Sequence, residues 1–201
     1  MAACSSYSPV TCVGTCENAF YFHVDAPETA VDGDSFRKSD LCLCYWVRSK
    51  DNKFLLLNSE QQFQVQNVTE LDPDCMFKLQ VYKESDKKGR KGRPTMLYVK
   101  NNGSSEDKNM VVACCGVTRN IYPEEMGALP KDIGETHHKA LFYMTELTPS
   151  KTFQFESSVF PSEFLGFACD EENPSLNKLV LQKKGEGEVV DSCQVTLLCS
   201  Q

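Results

Sequence analysis

The stretch CMFKLQVY, residues 75–82, places large apolar side chains at Phe77, Leu79 and Val81 and polar ones at Lys78 and Gln80. This period of two marks a strand buried on one face and wet on the other. Segments of the same kind recur on both sides of it. Upstream are LCLCYWVR (41–48), KFLLLN (53–58) and QFQVQ (62–66). Downstream are TMLYVK (95–100), MVVACC (110–115), ALFYMTEL (140–147), TFQFES (152–157), FLGFAC (164–169), KLVLQK (178–183) and CQVTLLC (193–199).

The breaks between them carry turn residues: Asp51-Asn52, Asp72-Pro73-Asp74, Asn101-Asn102-Gly103, Pro149-Ser150, Glu172-Asn173-Pro174 and Gly185-Glu186-Gly187. Residues 122–138, rich in Pro, Gly, Glu and His, read as a long loop with one short turn of helix. About twelve short strands in roughly 160 residues point to an all-β sandwich or closed barrel. Helical periodicity is weak throughout and no βαβ rhythm is present, which argues against a doubly wound enzyme fold. No exact internal repeat is visible.

Two parts are expected. AFYFHV (19–24) is an isolated apolar segment, followed by a linker of Pro, Gly, Thr and acids. Residues 1–34 hold Glu17, Asp25, Glu28, Asp32 and Asp34 and no Lys or Arg, a charge of −5; the rest carries 21 basic and 23 acidic side chains, −2, which together make the formal −7. This acidic balance gives no support to nucleic-acid binding. No apolar run approaches the ~18 residues of a membrane span. The first twenty residues place no Lys or Arg ahead of an apolar run and so lack the plan of a secretory signal. Synthesis in the cytosol is expected, with any export by another route.

The chain has eleven cysteines, an odd number in a body long enough to form its own core. Most are expected to be free thiols, some of them core residues. Neither the Cys42, Cys44 pair nor the adjacent Cys114, Cys115 has the spacing of a structural zinc site, so no metal or cofactor is expected. His23, His137 and His138 form no hydrolase motif with a cysteine, and no catalytic residue is assigned. Asn67-Val68-Thr69 and Asn102-Gly103-Ser104 are glycosylation sequons, expected to stay unused in a chain that bypasses the glycosylating compartment.

Several strings in order resemble the interleukin-1 family, and within it the interleukin-18 branch. They are ENAFYFHVD (17–25), VYKESDKKGR (81–90), ALPKDIGETHHKALFY (128–143), Phe155-Glu156-Ser157-Ser158 with Pro161 after it, FLGFACDEE (164–172) and LNKLVLQKK (176–184). The resemblance runs from about Asn18 to Lys184. It implies a β-trefoil at 35–201, six strands as a barrel and six as a cap, behind a propeptide at 1–34. It also implies a non-enzymatic pro-inflammatory cytokine, secreted without a signal peptide and acting as a monomer. Its partners would be the interleukin-18 receptor ligand-binding chain and accessory chain, an inflammatory caspase that processes it, and a soluble interleukin-18-binding protein.

By the same resemblance, the caspase cuts between Asp34 and Ser35. An Arg-lined pocket would take the Asp carboxylate through bidentate bonds, with the substrate extended as an added strand. Asp25 and Ala26 are the second choice, with Phe22 as an aromatic ahead of the cut. The strand 19–24 is expected to pack on the body until cleavage frees it. Lys38, Arg48, Asp72, Asp74 and Lys83 match charged receptor contacts, which mainly set on-rate and specificity. The loop with Lys87, Lys88, Arg90, Lys91 and Arg93 suggests an alternative, a trefoil that binds glycosaminoglycan or sugar. A third class, an enzyme working through a reactive thiol, would need an activated cysteine.

Overall fold

The computed structural model describes residues 10–16, 19–24, 36–70, 75–85, 91–100, 110–147, 152–169, 177–185, 188 and 190–199. The chain divides into two compact units, Met1–Asp32 with Gln201, and Gly33–Ser200. In the first, β1 (Val10–Cys16) pairs antiparallel with β2 (Ala19–Val24), Cys16 opposite Ala19, with a bulge between Cys12 and Gly14. The apolar segment 19–24 is therefore a strand. Its partner, VTCVGTC, carries too many small residues to read as one.

The second unit begins with β3 (Phe36–Ser49), β4 (Phe54–Leu57), β5 (Phe63–Gln66) and β6 (Phe77–Glu84). It continues with β7 (Arg93–Lys100), β8 (Met110–Cys115), β9 (Ile121–Met126), β10 (Asp132–Ile133) and β11 (Phe142–Leu147). It ends with β12 (Thr152–Ser157), β13 (Glu163–Cys169), β14 (Asn177–Lys183) and β15 (Val195–Leu198), the last preceded by a 3₁₀ turn at Asp191–Cys193.

Six of these strands close a ring. β3 pairs β6, β6 pairs β7, β7 pairs β11, β11 pairs β12, β12 pairs β15 and β15 returns to β3, all antiparallel. Closure removes the open edges of these strands. Between successive ring strands the chain inserts a hairpin three times over: β4–β5, β8–β9 and β13–β14. The hairpins meet, β14 pairing β5 and Asn120 bridging Val180. Six ring strands and three capping hairpins in threefold order make a β-trefoil. The threefold order lives in the pairing and not in any repeated string.

Side chains that alternate inward from this ring and cap form one core, including Val47, Leu55, Phe77, Leu79, Leu97, Val111, Phe142, Phe155 and Leu165. A second core lies on the other face of the same strands. Tyr82, Met96, Tyr98, Val112, Cys114 and Tyr143 point there, and Phe36, Leu129, Ile133, Ala140 and Leu141 cover them. Strand β6 is thus buried on both faces over much of its length, Gln80 and Tyr82 included. Gln80 is satisfied at the β3 bulge between Lys38 and Cys42, where its Nε2 donates to Ser39 O at 2.7 Å and Leu41 O at 3.0 Å.

The loop expected at 122–138 is corrected: it contains β9 and β10, and no helix among its described residues. β9 includes Pro123, whose missing N–H is tolerated because β9 has one strand partner, β8. Cys193 belongs to the 3₁₀ turn and not to the last strand. No helix of the described residues is long and apolar enough to cross a membrane.

Candidate functional site

Three segments meet at one rim of the body. The first is the turn between β8 and β9. Gly116 N donates to Asn120 O at 2.8 Å and Arg119 N to Gly116 O at 3.0 Å, closing the turn with Arg119 at φ 63°. This left-handed residue carries its guanidinium over the Phe160 ring, 5.7 Å from the centroid, and against the buried Glu163 carboxylate at 3.3 Å. Val117 at the turn is 97% exposed, unusual for a large aliphatic residue.

The second segment is the end of β12, where the string Phe155-Glu156-Ser157-Ser158 proves to be a folding device. Phe155 is fully buried in the main core. Glu156 Oε1 accepts from Ser162 N at 2.8 Å, fixing a turn whose Ser162 has φ 64°. Ser157 Oγ accepts from Val159 N at 3.2 Å and Phe160 N at 3.1 Å. Ser158 Oγ reaches the third segment, accepting from His138 N at 3.0 Å and donating to His138 O at 2.8 Å.

In that third segment His138 Nδ1 accepts from Ala140 N at 3.2 Å, and Cys115 N donates to Lys139 O at 2.8 Å. Lys139 Nζ donates to both Glu124 oxygens at 2.8 and 2.6 Å, and Tyr122 OH donates to Glu124 at 3.0 Å. The segments enclose a cleft of about 520 Å³, lined among others by Val117, Tyr122, Glu135, His137, His138 and Phe160.

The charge states follow from the surroundings. The Lys139 bond holds the Glu124 carboxyl below its usual range, and Glu124 in turn raises the Lys139 ammonium. Burial pulls the His138 imidazole down, in keeping with its acceptor role at Nδ1. Burial pushes the Cys115 thiol up to about 11 and the Cys114 thiol to about 12, opposite to the direction that activates a nucleophile. A neutralised ion pair, a neutral imidazole, apolar walls and a bare valine suit recognition by shape and hydrogen bonding. Among the described residues no group of three or more His, Cys, Asp or Glu is placed to hold a metal ion.

Ser158→Ala removes both bonds between the β12 turn and His138. The substitution is expected to cost about 1–3 kcal/mol, since it strands polar groups at a buried site. Thermal denaturation would register the loss, and faster amide exchange at His138 would localise it. An unchanged melting temperature with unchanged exchange would refute the linchpin role given to this hydroxyl.

The sequence-predicted receptor residues do not share this cleft. Lys38 and Lys83 are exposed on adjacent strands at one end of β3, Lys38 paired in register with Tyr82. Arg48, half-buried, lies ten residues further along β3, two of which the bulge takes up, so about 26 Å away at strand rise. Its Nε is buried without a hydrogen-bond partner. Lys91 is exposed and Arg93 half-exposed at the start of β7. Asp34, Ser35, Asp25, Ala26, Asp72, Asp74, Lys87, Lys88 and Arg90 lie outside the described residues. Eight cysteines are in no disulfide: Cys114, Cys115 and Cys193 are buried, Cys42, Cys44 and Cys169 exposed, Cys75 and Cys199 between. Sequence reasoning missed the cleft, because Val117, Arg119 and Tyr122 look like ordinary loop residues until β8 and β9 pair.

No protein-family model matches the sequence, and no curated protein matches it. Solved structures do. A variant of Gallus interleukin-1 beta is similar with a TM-score of 0.57 and 18% identity, over 82% of this chain and 99% of that one. Chicken interleukin-1 beta is similar with a TM-score of 0.55 and 17% identity, over 82% and 99%. A hydrophobic-cavity mutant of chicken interleukin-1 gives 0.55 and 16%, again over 82% and 99%. At such identities the likeness is one of fold: the body of this chain is a β-trefoil built as interleukin-1 beta is.

Proposed function

We propose that the chain is an interleukin-1-family cytokine precursor of the interleukin-18 type, a receptor ligand with no enzymatic activity of its own. The observation that carries this reading is the trefoil, which matches almost the whole length of interleukin-1 beta. The ordered strings from ENAFYFHVD to LNKLVLQKK supply the branch. A closed barrel with short hairpins is a rigid support on which two receptor chains can dock at once, so that binding the first raises the effective concentration of the second. The Lys38 and Lys83 end of β3, the Arg48 end and the cleft beside Phe160 are separate surfaces suited to such bivalent presentation. The partners on this reading are the interleukin-18 receptor ligand-binding chain and its accessory chain, with interferon-gamma-type inflammatory signalling as output. A soluble interleukin-18-binding protein would compete for the first of these.

On the same reading the precursor is cytosolic. An inflammatory caspase cuts it between Asp34 and Ser35, and the product is secreted. The test is cleavage of the full chain, N-terminal sequencing, and titration of cut and uncut protein against the interleukin-18 receptor ectodomain. A new terminus at Ser35 and tighter binding by the cut form are expected. Arg48→Ala is expected to weaken that binding about tenfold, the order of one well-placed charged contact. A receptor that ignores both forms would end the interleukin-18 assignment, and a new terminus at Ala26 would move the processing site.

A further inference from the structure

Two exposed thiols share one face of the barrel wall. They are Cys42 and Cys44 of β3. The ladder with β6 is regular there, Cys42 opposite Gln80, Leu43 opposite Leu79 and Cys44 opposite Lys78. Side chains alternate along a strand, so the two cysteines lie on one side while Leu43 between them packs on the main core. The bulge that follows Lys38 ends at Cys42, so it does not disturb the pair.

A second feature converges on the same spot. Tyr98 of β7, itself buried, reaches across β6 and brings its hydroxyl to 3.5 Å from the Cys42 sulfur. Burial, then the hydrogen bond to Cys42, then the charges of Cys42 and Cys44 hold the proton on this hydroxyl. Both sulfurs therefore lie near one phenol that stays a donor. Lys78, directly opposite Cys44, stands on the same face.

Spacing decides what such a pair can hold. At strand rise the two Cβ atoms are about 6.6 Å apart. A disulfide needs its Cβ atoms about 3.8 Å apart, so the pair does not close one while the ladder is intact. A metal ion between the sulfurs fits better. With metal–sulfur bonds of about 2.3 Å, sulfurs on opposite sides of one ion are about 4.6 Å apart. Each sulfur then leans inward by about 1 Å, which rotation about χ1 supplies. Zinc wants four ligands, and among the described residues no group of three or more His, Cys, Asp or Glu is placed to provide them. Monovalent copper is soft, selects thiolates and needs only two of them in line.

We infer that Cys42 and Cys44 bind one monovalent copper ion as a two-sulfur chelate. Both thiols release their protons to solvent and two sulfur–copper bonds form. Copper keeps its charge, and nothing is oxidised or reduced. The complex carries one net negative charge, which Lys78 offsets from across the ladder. The Tyr98 O–H steadies it by donating to the Cys42 sulfur. The C-x-C spacing that fails for zinc succeeds here because β3 is a strand; on a helix the same two residues would not face each other.

The test titrates the full, reduced chain with monovalent copper under nitrogen, in competition with a chromogenic copper(I) chelator. Iodoacetamide labelling and peptide mass spectrometry locate the ion. One equivalent of copper is expected to protect Cys42 and Cys44 together and to leave the exposed Cys169 as reactive as before. Cys42→Ser or Cys44→Ser alone is expected to weaken copper binding about 100-fold, since a chelate loses its effective concentration with either arm. Tyr98→Phe keeps the ring, removes the donor and is expected to cost about tenfold. Cys169→Ser is expected to change nothing. A matched melting temperature certifies the fold of each variant, and Cys42→Ala or Cys44→Ala serves where a serine variant does not fold. Equal labelling of the pair with and without copper overturns the inference. So does unchanged affinity in either single variant, prior protection of other cysteines, or equally tight binding of zinc. A Cys42–Cys44 disulfide formed in air overturns it as well, because it denies the fixed spacing.

Discussion

Phe155→Ala is expected to lower the free energy of unfolding by about 3–5 kcal/mol, the range for removing a fully buried phenylalanine. Phe155 has no exposed surface and lies in the main core, its backbone paired opposite Met144. β12 is held in the ring by β11 on one side and β15 on the other, so the backbone has little freedom to collapse into the cavity. For a chain of this length each kcal/mol moves the melting temperature by about 2–4 °C, so a fall of roughly 6–20 °C is expected by calorimetry. Phe155→Leu keeps most of the volume and is expected to cost distinctly less. The residue also begins the string that ties down Ser162, Phe160 and His138. The same variant should therefore loosen the rim of the cleft and weaken receptor binding beyond what global unfolding explains. A melting temperature within 2 °C of the parent would contradict the placement of this side chain.

The all-β class was legible because period two is written into most strands, and the segments 110–115 and 152–157 coincide with β8 and β12. Three features were not legible, each for a physical reason. β3 begins at Phe36, five residues before its apolar run, because in FRKSD Arg37, Lys38 and Asp40 face water and only Phe36 and Ser39 are buried, a spacing that breaks the period of two. β9 reads as a loop because IYPEEM has no buried residue and carries Pro123, which only a strand with a free side accepts. The second core is hidden because the period-two pattern of β6 marks one apolar face, and burial of Tyr82 depends on Leu129 and Ile133 some fifty residues away.

The candidate site divides in the same way. The string FESS was legible as a family resemblance, yet its side chains are spent on a turn and on His138, so its order reflects the folding of the cleft rim. Of the charged residues expected to meet a receptor, the described Lys38 and Lys83 fall at one end of β3 and Arg48 at the other, a separation that no spacing rule along the sequence predicts without the bulge and the register of β3.

Alkaline pH is expected to destabilise the fold from about pH 9, where the buried thiols first come under strain. Cys114 points into the second core and Cys115 into the main one, and burial holds their thiols up, at about 12 and about 11 against an ordinary 9. Burial pushes the Cys193 thiol in the same direction. A group whose pKa is raised by folding gives stability that is fully present below its unfolded value and lost as pH climbs through the folded one. Between about pH 9 and 10.5 the unfolded chain releases these protons while the native chain keeps them. Each thiol then removes up to about 1.4 kcal/mol per pH unit. Two of them acting together amount to about 3 kcal/mol across that window, a large share of the 5–15 kcal/mol typical of a domain. Urea midpoints are therefore expected to be flat from pH 7 to 9 and to fall steadily above. Cys114→Ala with Cys115→Val should show a shallower fall above pH 9, whatever its stability at neutral pH, because the slope counts protons and not packing. Thiol reagents at pH 8 should label exposed Cys42, Cys44 and Cys169 at once and the buried pair only as fast as the body opens. A midpoint that stays level to pH 10.5, or a double variant with the parent's slope, would place both sulfurs in water and undo the two-faced burial of β8.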